Sequence, residues 1–275
     1  MLVNLKEILS MAVERGCAIP AFNVYNLETV MGVMQAADQL QSPVIFQIYS
    51  RLFDMPDARL AAPMILEAAH MLSVPAVFHL DHGAGIPEVM RAIRYGATGV
   101  MIDASLHPLD KNIELTRQAV DLCTYSGIPV EGELGHIGST GDAQMSQYTD
   151  PEEAAHYVRE TGVAALAVMA GTAHGRYKKA PVLDIDRIAD IKAAAGIPLV
   201  LHGGSGVPDD QIRASIKAGI RKVNFGTDLC YSFLDGVFAT PRTTVAIDLF
   251  MRSATNEVKR FAMEKIKLLG ANTNV

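Results

Sequence analysis

The sequence predicts a (β/α)8 TIM barrel with a helical extension at its C-terminal end. Three observations carry this reading. Eight short apolar runs of strand length recur along the chain, at 18–24, 43–49, 75–81, 97–103, 128–134, 164–170, 197–202 and 221–225. Segments of helical period separate them, and most of these end in a glycine, as at Gly96, Gly127, Gly162, Gly196 and Gly219. Polar residues gather just past the C-terminal ends of the runs, with no comparable set at the other ends. Runs that are apolar on both faces imply parallel strands covered by helices. An open doubly wound sheet usually carries a glycine-rich turn after its first strand. Here the first run ends in Ala21-Phe22-Asn23, without such a turn.

Taken in order, helices are predicted over Leu27 to Leu40, Pro63 to Leu72, Ile86 to Tyr95 and Leu109 to Ser126. The next, Pro151 to Thr161, stands behind Asp150, which suits an N-cap followed by proline at the first helical position. Leu183 to Ala195 and Pro208 to Ala218 complete the alternation. Beyond the last strand, Val258, Phe261, Ile266 and Leu269 keep helical spacing within Thr255 to Leu269, and a polar tail follows Gly270. No low-complexity linker divides the chain, so one domain over residues 1–275 is expected.

Bulk composition narrows the partners. The chain has 275 residues, 49% of them hydrophobic, which suits one barrel of about 250 residues. Net charge is −6, and the basic residues are scattered, not striped, so neither nucleic acid nor an anionic membrane is expected as a partner. No signal peptide and no membrane span are read. Cys17, Cys123 and Cys230 are too far apart for a disulfide framework or a thiolate zinc cluster, which points to a reducing cytoplasm.

Chemistry in such a barrel collects at the C-terminal strand ends. His82, His174 and His202 each stand just beyond an apolar run. Three neutral imidazoles with an open fourth position describe a catalytic zinc site. Asp81 directly precedes His82. It is placed either for acid/base work on a substrate or to orient a histidine from behind. His79 reads as a strand residue, lining the barrel or facing a helix. His70, His107 and His156 read as solvated, and His136 can face the rim. The run Gly203-Gly204-Ser205-Gly206 before a helix, with Asn224, Phe225, Gly226 and Thr227 one strand on, offers backbone N–H groups to a phosphate. The alternative is that these glycines only make tight turns.

Together these residues resemble the class II, zinc-dependent ketose-bisphosphate aldolases, the fructose- and tagatose-bisphosphate aldolase family. The resemblance spans nearly the whole chain. It runs through Pro20-Ala21-Phe22-Asn23, His79-Leu80-Asp81-His82-Gly83, Val100-Met101-Ile102-Asp103-Ala104-Ser105 and Val130-Glu131-Gly132-Glu133-Leu134-Gly135. It continues in Gly171-Thr172-Ala173-His174-Gly175, His202-Gly203-Gly204-Ser205-Gly206 and Lys222-Val223-Asn224. It implies that His82, His174 and His202 hold Zn²⁺ and that Asp81 is the acid/base on the aldehyde side. By the same resemblance Asp103 and Glu133 lie near an alternative or second metal position. Gly175, Gly203 to Ser205 and Asn224 to Thr227 would bind the dihydroxyacetone-phosphate portion of a sugar phosphate, with a monovalent cation, Na⁺ or K⁺, nearby. Asn23, Ser50 and Arg51 are expected on the same substrate-binding rim. The family occurs as homodimers and homotetramers.

The chain departs from the family in three places. The loop after the fifth strand lacks the usual acidic pair: Asp142 is its only carboxylate before Asp150, so Asp142, His136 or a water takes the second proton-transfer role. After the second strand, Tyr49-Ser50-Arg51 replaces a small turn and adds a cation. Gly226 stands where fructose-bisphosphate members commonly carry Asp. Arg51, Arg242 or Arg252 is accordingly expected to meet a phosphate or carboxylate at the aldehyde end. A Schiff-base mechanism would need a lysine inside the barrel; Lys222, at the start of the eighth strand, reads as lying on the wrong side. The competing expectations are a relative acting on a non-standard ketose 1-phosphate, a metal-dependent hydrolase, and a non-catalytic sugar-phosphate binder. The hydrolase reading lacks the usual His-x-His at the first strand.

Overall fold

The computed structural model describes residues 1–140 and 148–272. Eight parallel strands close into a barrel in sequence order, β8 returning to pair with β1. The strands are β1 (Ile19–Asn23), β2 (Val44–Tyr49), β3 (Ala76–Gly83), β4 (Gly99–Ile102), β5 (Val130–Leu134), β6 (Ala165–Val168), β7 (Leu199–Leu201) and β8 (Ile220–Phe225). All eight fall within or beside the predicted runs.

The helices are α1 (Leu5–Arg15), α2 (Leu27–Leu40), α3 (Pro56–Met71), α4 (Ile86–Arg94), α5 (Leu109–Thr124), α6 (Pro151–Thr161), α7 (Ile185–Ala195), α8 (Asp209–Ala218), α9 (Thr227–Ala239) and α10 (Ile247–Leu269). Four differ from expectation. α1 and α9 were not foreseen. α3 begins at Pro56, with Pro63 inside it. α10 begins eight residues before Thr255, at Ile247.

Each unforeseen helix has a local cause. In α1, Leu5, Ile8, Leu9 and Ala12 form one buried stripe behind an Asn4–Glu7 capping box. The Leu5 N–H donates to the Thr98 carbonyl at the start of β4. α1 touches β1, β3 and β8, strands from different sides of the barrel, so it crosses and closes the N-terminal mouth. α9 docks on α10 where Gly236 meets the Ala254 backbone, an approach that any Cβ would block.

The residue pairs in register show which side chains share a face. Ala21, Asn224, Lys222 and Val200 fall on one face, as do Glu131 with Ala165 and Glu133 with Ala167. Leu166, Leu199, Phe22 and Phe225 fall on the other. That outer face is apolar and packs under the helices. Phe225 stacks on Phe22 at 5.9 Å, and both rings meet Phe261 of α10. Each large aliphatic or aromatic side chain buried there stabilises the fold by roughly 1.5–3 kcal/mol. Among the described residues, no helix is long and apolar enough to cross a membrane.

Candidate active site

The inner face of the barrel turns polar toward its C-terminal end. Side chains from non-adjacent strands of a closed barrel can meet only through its interior. Asn23 on β1 and Asn224 on β8 both donate to Asp81 on β3, at 2.7 and 3.2 Å. Lys222 on β8 reaches Glu131 on β5 at 2.7 Å. β6 contributes only Ala165 and Ala167 to this face, which leaves room for the long polar side chains opposite.

His82 sits where β3 slips register against β4, between Leu80 and Gly83. Its backbone is left-handed (φ 51°), which a non-glycine residue adopts rarely and at some cost. This break in strand alternation lets consecutive Asp81 and His82 both face the same cavity. His174 lies beyond β6, its backbone tied on both sides to the segment after β5: its N–H to the Gly138 carbonyl and its carbonyl to the Thr140 N–H. His202 immediately follows β7 and is fully buried.

The three imidazoles converge, with a ligand nitrogen from each lying within 4.8 Å of the others. In every ring one nitrogen is already held by an oxygen. His82 Nδ1 meets Asp103 Oδ2 at 2.7 Å, His174 Nδ1 meets the Ile137 carbonyl at 3.0 Å, and His202 Nε2 meets Glu131 Oε1 at 2.8 Å. Outer oxygens of this kind orient metal-binding histidines. The inward nitrogens of His82 and His202 are 2.8 Å apart. Two lone pairs cannot sit that close without a proton or a cation between them. The donor set and its orientation therefore fit Zn²⁺.

Electrostatics agree. Burial lowers the affinity of the His82 ring for a proton, but Asp81, Asp103 and Glu133 outweigh it and hold its pKa at about 9. Burial and the His82 charge lower His174 to about 4 and push His202 well below the usual range. Two rings are thus kept neutral, as ligation requires, and a positive charge is favoured beside the carboxylates. His82, Asp103 and Glu133 form a second group able to hold a cation. Burial, then the Asp103 charge, raises Glu133 to about 8, and its Oε2 is buried without a hydrogen-bond partner. Ser105 Oγ bridges this group, touching Asp103, Glu133 and His136.

A cavity of about 630 Å³ opens above the imidazoles. Of the expected residues, Asn23, Arg51, Asp81, His82, His174, Gly175, Gly203, Ser205, Asn224, Gly226 and Thr227 line it. Gly203 is left-handed (φ 65°), and a β-carbon there would fall 2.4 Å from the Ala173 carbonyl oxygen, so a side chain is excluded. α9 starts at Thr227 with no side-chain cap, which leaves its first N–H groups and the positive end of its dipole toward the cavity. Asp228 already engages part of this rim: its carboxylate accepts the Gly206 N–H and its own N–H donates to Ser205 Oγ.

Three expected binding residues do not line the cavity. The Gly204 N–H is spent on the Asn224 carbonyl at 3.1 Å. The Phe225 ring faces outward into the Phe22–Phe261 stack. Ser50, first residue of a short 3₁₀ turn (Ser50–Asp54), is absent from the lining although Tyr49 and Arg51 on either side of it are part of it. Arg242 and Arg252 are exposed and also lie outside the cavity lining. Asp142 lies outside the described residues. Lys222 needs a correction: it points into the barrel, because it stands two residues before inward-facing Asn224 on the same strand. Its ammonium is fully buried against Glu131, so a carbonyl substrate has no path to it.

Tyr25, Tyr49, Ser139, Thr140, Cys230, Tyr231 and Leu234 complete the lining and were not anticipated. The last three come from the unforeseen α9. His136 is half-buried and turned to Ser105, His79 is buried inside the barrel, and His70 and His107 are exposed.

The model of the class-II fructose-bisphosphate aldolase family matches residues 3–274. The YdjI aldolase from Escherichia coli K12 superposes with a TM-score of 0.91 at 35% sequence identity, over 99% of this chain and 99% of that one. A putative fructose-1,6-biphosphate aldolase from Coccidioides immitis superposes at 0.90 with 28% identity, over 98% of this chain and 97% of that one. The fructose-bisphosphate aldolase of Campylobacter jejuni shares the fold, with a TM-score of 0.84 at 22% identity, over 100% of this chain and 97% of that one.

Proposed function

Since the chain belongs to the class II fructose-bisphosphate aldolase family and is a carbon–carbon lyase, we propose that it is a zinc-dependent aldolase of ketose phosphates. It cleaves a ketose 1-phosphate or bisphosphate, of the fructose or tagatose type, reversibly to dihydroxyacetone phosphate and an aldehyde. One observation carries this reading: three inward imidazole nitrogens meet beside Asp81 at the floor of a cavity whose rim includes the uncapped start of α9.

His82, His174 and His202 would hold Zn²⁺, and Asp103 and Glu133 offer the alternative position reached through His82. Zn²⁺ bound there supplies a Lewis acid that draws electron density from the substrate ketone. Asp81 takes the proton of the C4 hydroxyl as the C3–C4 bond breaks, and returns it in the synthetic direction. Asn23 and Asn224 hold its carboxylate in place from two sides. The electron pair left on C3 then needs a proton, and Asp142 is our assignment for its donor. Gly175, Gly203, Ser205, Gly226 and Thr227 cradle the C1 phosphate, with Na⁺ or K⁺ beside it.

On the cavity wall, Arg51 has no salt bridge among the described residues and stacks over Tyr49 at 5.4 Å. It meets an anionic group on the aldehyde portion. The exposed side chains of Phe238, Val245 and Ile247 support association into a homodimer or homotetramer. The free state of all three cysteines suits the cytoplasm.

The test is release of dihydroxyacetone phosphate from a panel of ketose 1-phosphates and bisphosphates. Turnover that is lost on chelation and restored by Zn²⁺ is expected. A zinc-loaded protein silent on every panel member would sink the reading.

A further inference from the structure

Below the three imidazoles, a buried ion pair spans the barrel without touching the cavity. Glu131 on β5 and Lys222 on β8 are both fully buried, with Nζ and Oε2 2.7 Å apart. The other carboxylate oxygen, Oε1, faces His202 Nε2 at 2.8 Å. His79 Nε2 lies 3.6 Å from Oε2, and the Asn224 amide stands 3.3 Å from both His202 ring nitrogens. Resting on the zinc reading above, we propose that Glu131 and Lys222 are positioning residues that set the tautomer of His202.

The argument is one of donors and acceptors. A carboxylate only accepts, so the Glu131 contact places the proton of neutral His202 on Nε2. That leaves a lone pair on Nδ1, the nitrogen that faces His82 and the metal position. Lys222 only donates. It holds Oε2, so the carboxylate cannot rotate away, and Oε1 is reserved for His202. A packing role does not explain the pair. Barrel interiors are ordinarily filled by branched apolar residues, and a buried ion pair can often be exchanged for such residues at no loss of stability. What an apolar pair could not do is dictate which His202 nitrogen carries the proton.

The two residues are therefore coupled in an unusual direction. In Glu131→Gln, Lys222 still demands an acceptor, so the amide oxygen turns to Nζ and the amide NH₂ turns to His202. Nε2 must then accept, and the ring proton moves to Nδ1, against the metal. In Glu131→Gln/Lys222→Met that demand is gone. The amide oxygen returns to His202 Nε2–H and the original tautomer is restored. The second substitution should repair the first.

The experiment compares the unaltered protein, E131Q and E131Q/K222M. Zn²⁺ dissociation constants come from competition with a chromophoric chelator, on samples whose folding is checked by circular dichroism. Imidazole ¹⁵N shifts of His202 are read on the metal-free proteins. A 10- to 100-fold weaker Zn²⁺ affinity is expected for E131Q, the usual scale for loss of an orienting partner. His202 should then be protonated at Nδ1, and the double variant should recover most of the affinity and the Nε2 proton. Equal Zn²⁺ affinity in all three, or a double variant no better than E131Q, overturns the proposal. So does an Nδ1 proton on His202 in the unaltered metal-free protein, a readout that needs no variant to fold. If the unaltered protein bound no Zn²⁺, the zinc reading would fall while the ¹⁵N tautomer order still decided this one.

Discussion

Leu166 and Glu131 stand on neighbouring strands, both fully buried, and do opposite things. Leu166 points outward from β6 into the helices, beside Leu199. Glu131 points inward from β5 and meets Lys222 and His202. The outward face is apolar and gains free energy from being dry. The inward face carries Asn23, Gln47, His79, Asp81, Glu131, Glu133, Lys222 and Asn224, groups that lose hydration on burial and recover it only where a partner is waiting. One face holds the barrel closed. The other is held by that closure, and spends its stability on orienting a few atoms at the floor of the cavity. Substitutions on the two faces should accordingly separate stability from turnover.

The largest effect is expected inside. Asp81→Ala removes the group proposed to move the hydroxyl proton, and turnover should fall about 10²–10⁴-fold. Zn²⁺ stoichiometry should hold, since Asp81 is outside the imidazole group that converges on the metal position. Its unfolding free energy should change by only about 1–3 kcal/mol, the scale of lost hydrogen bonds to a charged group. Steady-state kinetics with metal analysis on the same sample checks this. A variant within tenfold of the parent would remove Asp81 from the chemistry. Outside, Leu166→Ala should cost about 2–5 kcal/mol in denaturant unfolding and leave turnover per folded molecule unchanged. If turnover fell in step with stability, the two faces would not be separable.

Gly203→Ala tests the boundary between them. Its left-handed backbone and its contact with the Ala173 carbonyl make any side chain strained, at roughly 1–3 kcal/mol. Relieving the strain would shift the rim proposed to hold the phosphate. A raised KM for the sugar phosphate is expected along with the lower stability. Lower stability with an unmoved KM would show that Gly203 serves the turn alone.

The two faces were also unequally legible. Apolar runs on both sides of a strand announce a parallel sheet, and the eight strands followed from them. The convergence of His82, His174 and His202 followed from strand ends alone. What alternation does not reveal is where it breaks. The left-handed turn that brings Asp81 and His82 to the same cavity has no signature in Leu80-Asp81-His82-Gly83. Lys222 was misplaced although the signal was present, because counting back two residues from Asn224 puts it inside. α1 had its signal too, in the Asn4–Glu7 capping box, but it precedes the first strand and fits no strand–helix repeat. α9 was hidden because its start, Gly226-Thr227-Asp228, reads equally as a phosphate loop. α3 was shortened because Pro63 looks like a first helical residue, whereas Pro56 holds that position and Pro63 sits on an exposed face of the same helix.

The smallest expected effect sharpens the comparison at the cavity mouth, where burial ceases to help. Arg51 is exposed, rests on Tyr49 and lies in the cavity lining with Asp81 and Tyr25. Water screens its charge, so it contributes little to folding, and Arg51→Ala should leave stability within about 0.5 kcal/mol. Its effect should appear only with the right acceptor. For aldehydes bearing a phosphate or carboxylate, kcat/KM should drop about tenfold, near 1.4 kcal/mol, with most of the change in KM. For neutral aldehydes it should stay constant, because nothing in the substrate then answers the guanidinium. The ratio between the two classes is the quantity to measure, in the synthetic direction with dihydroxyacetone phosphate fixed. An equal drop for both classes would mean that Arg51 shapes the mouth through Tyr49 and reads no charge.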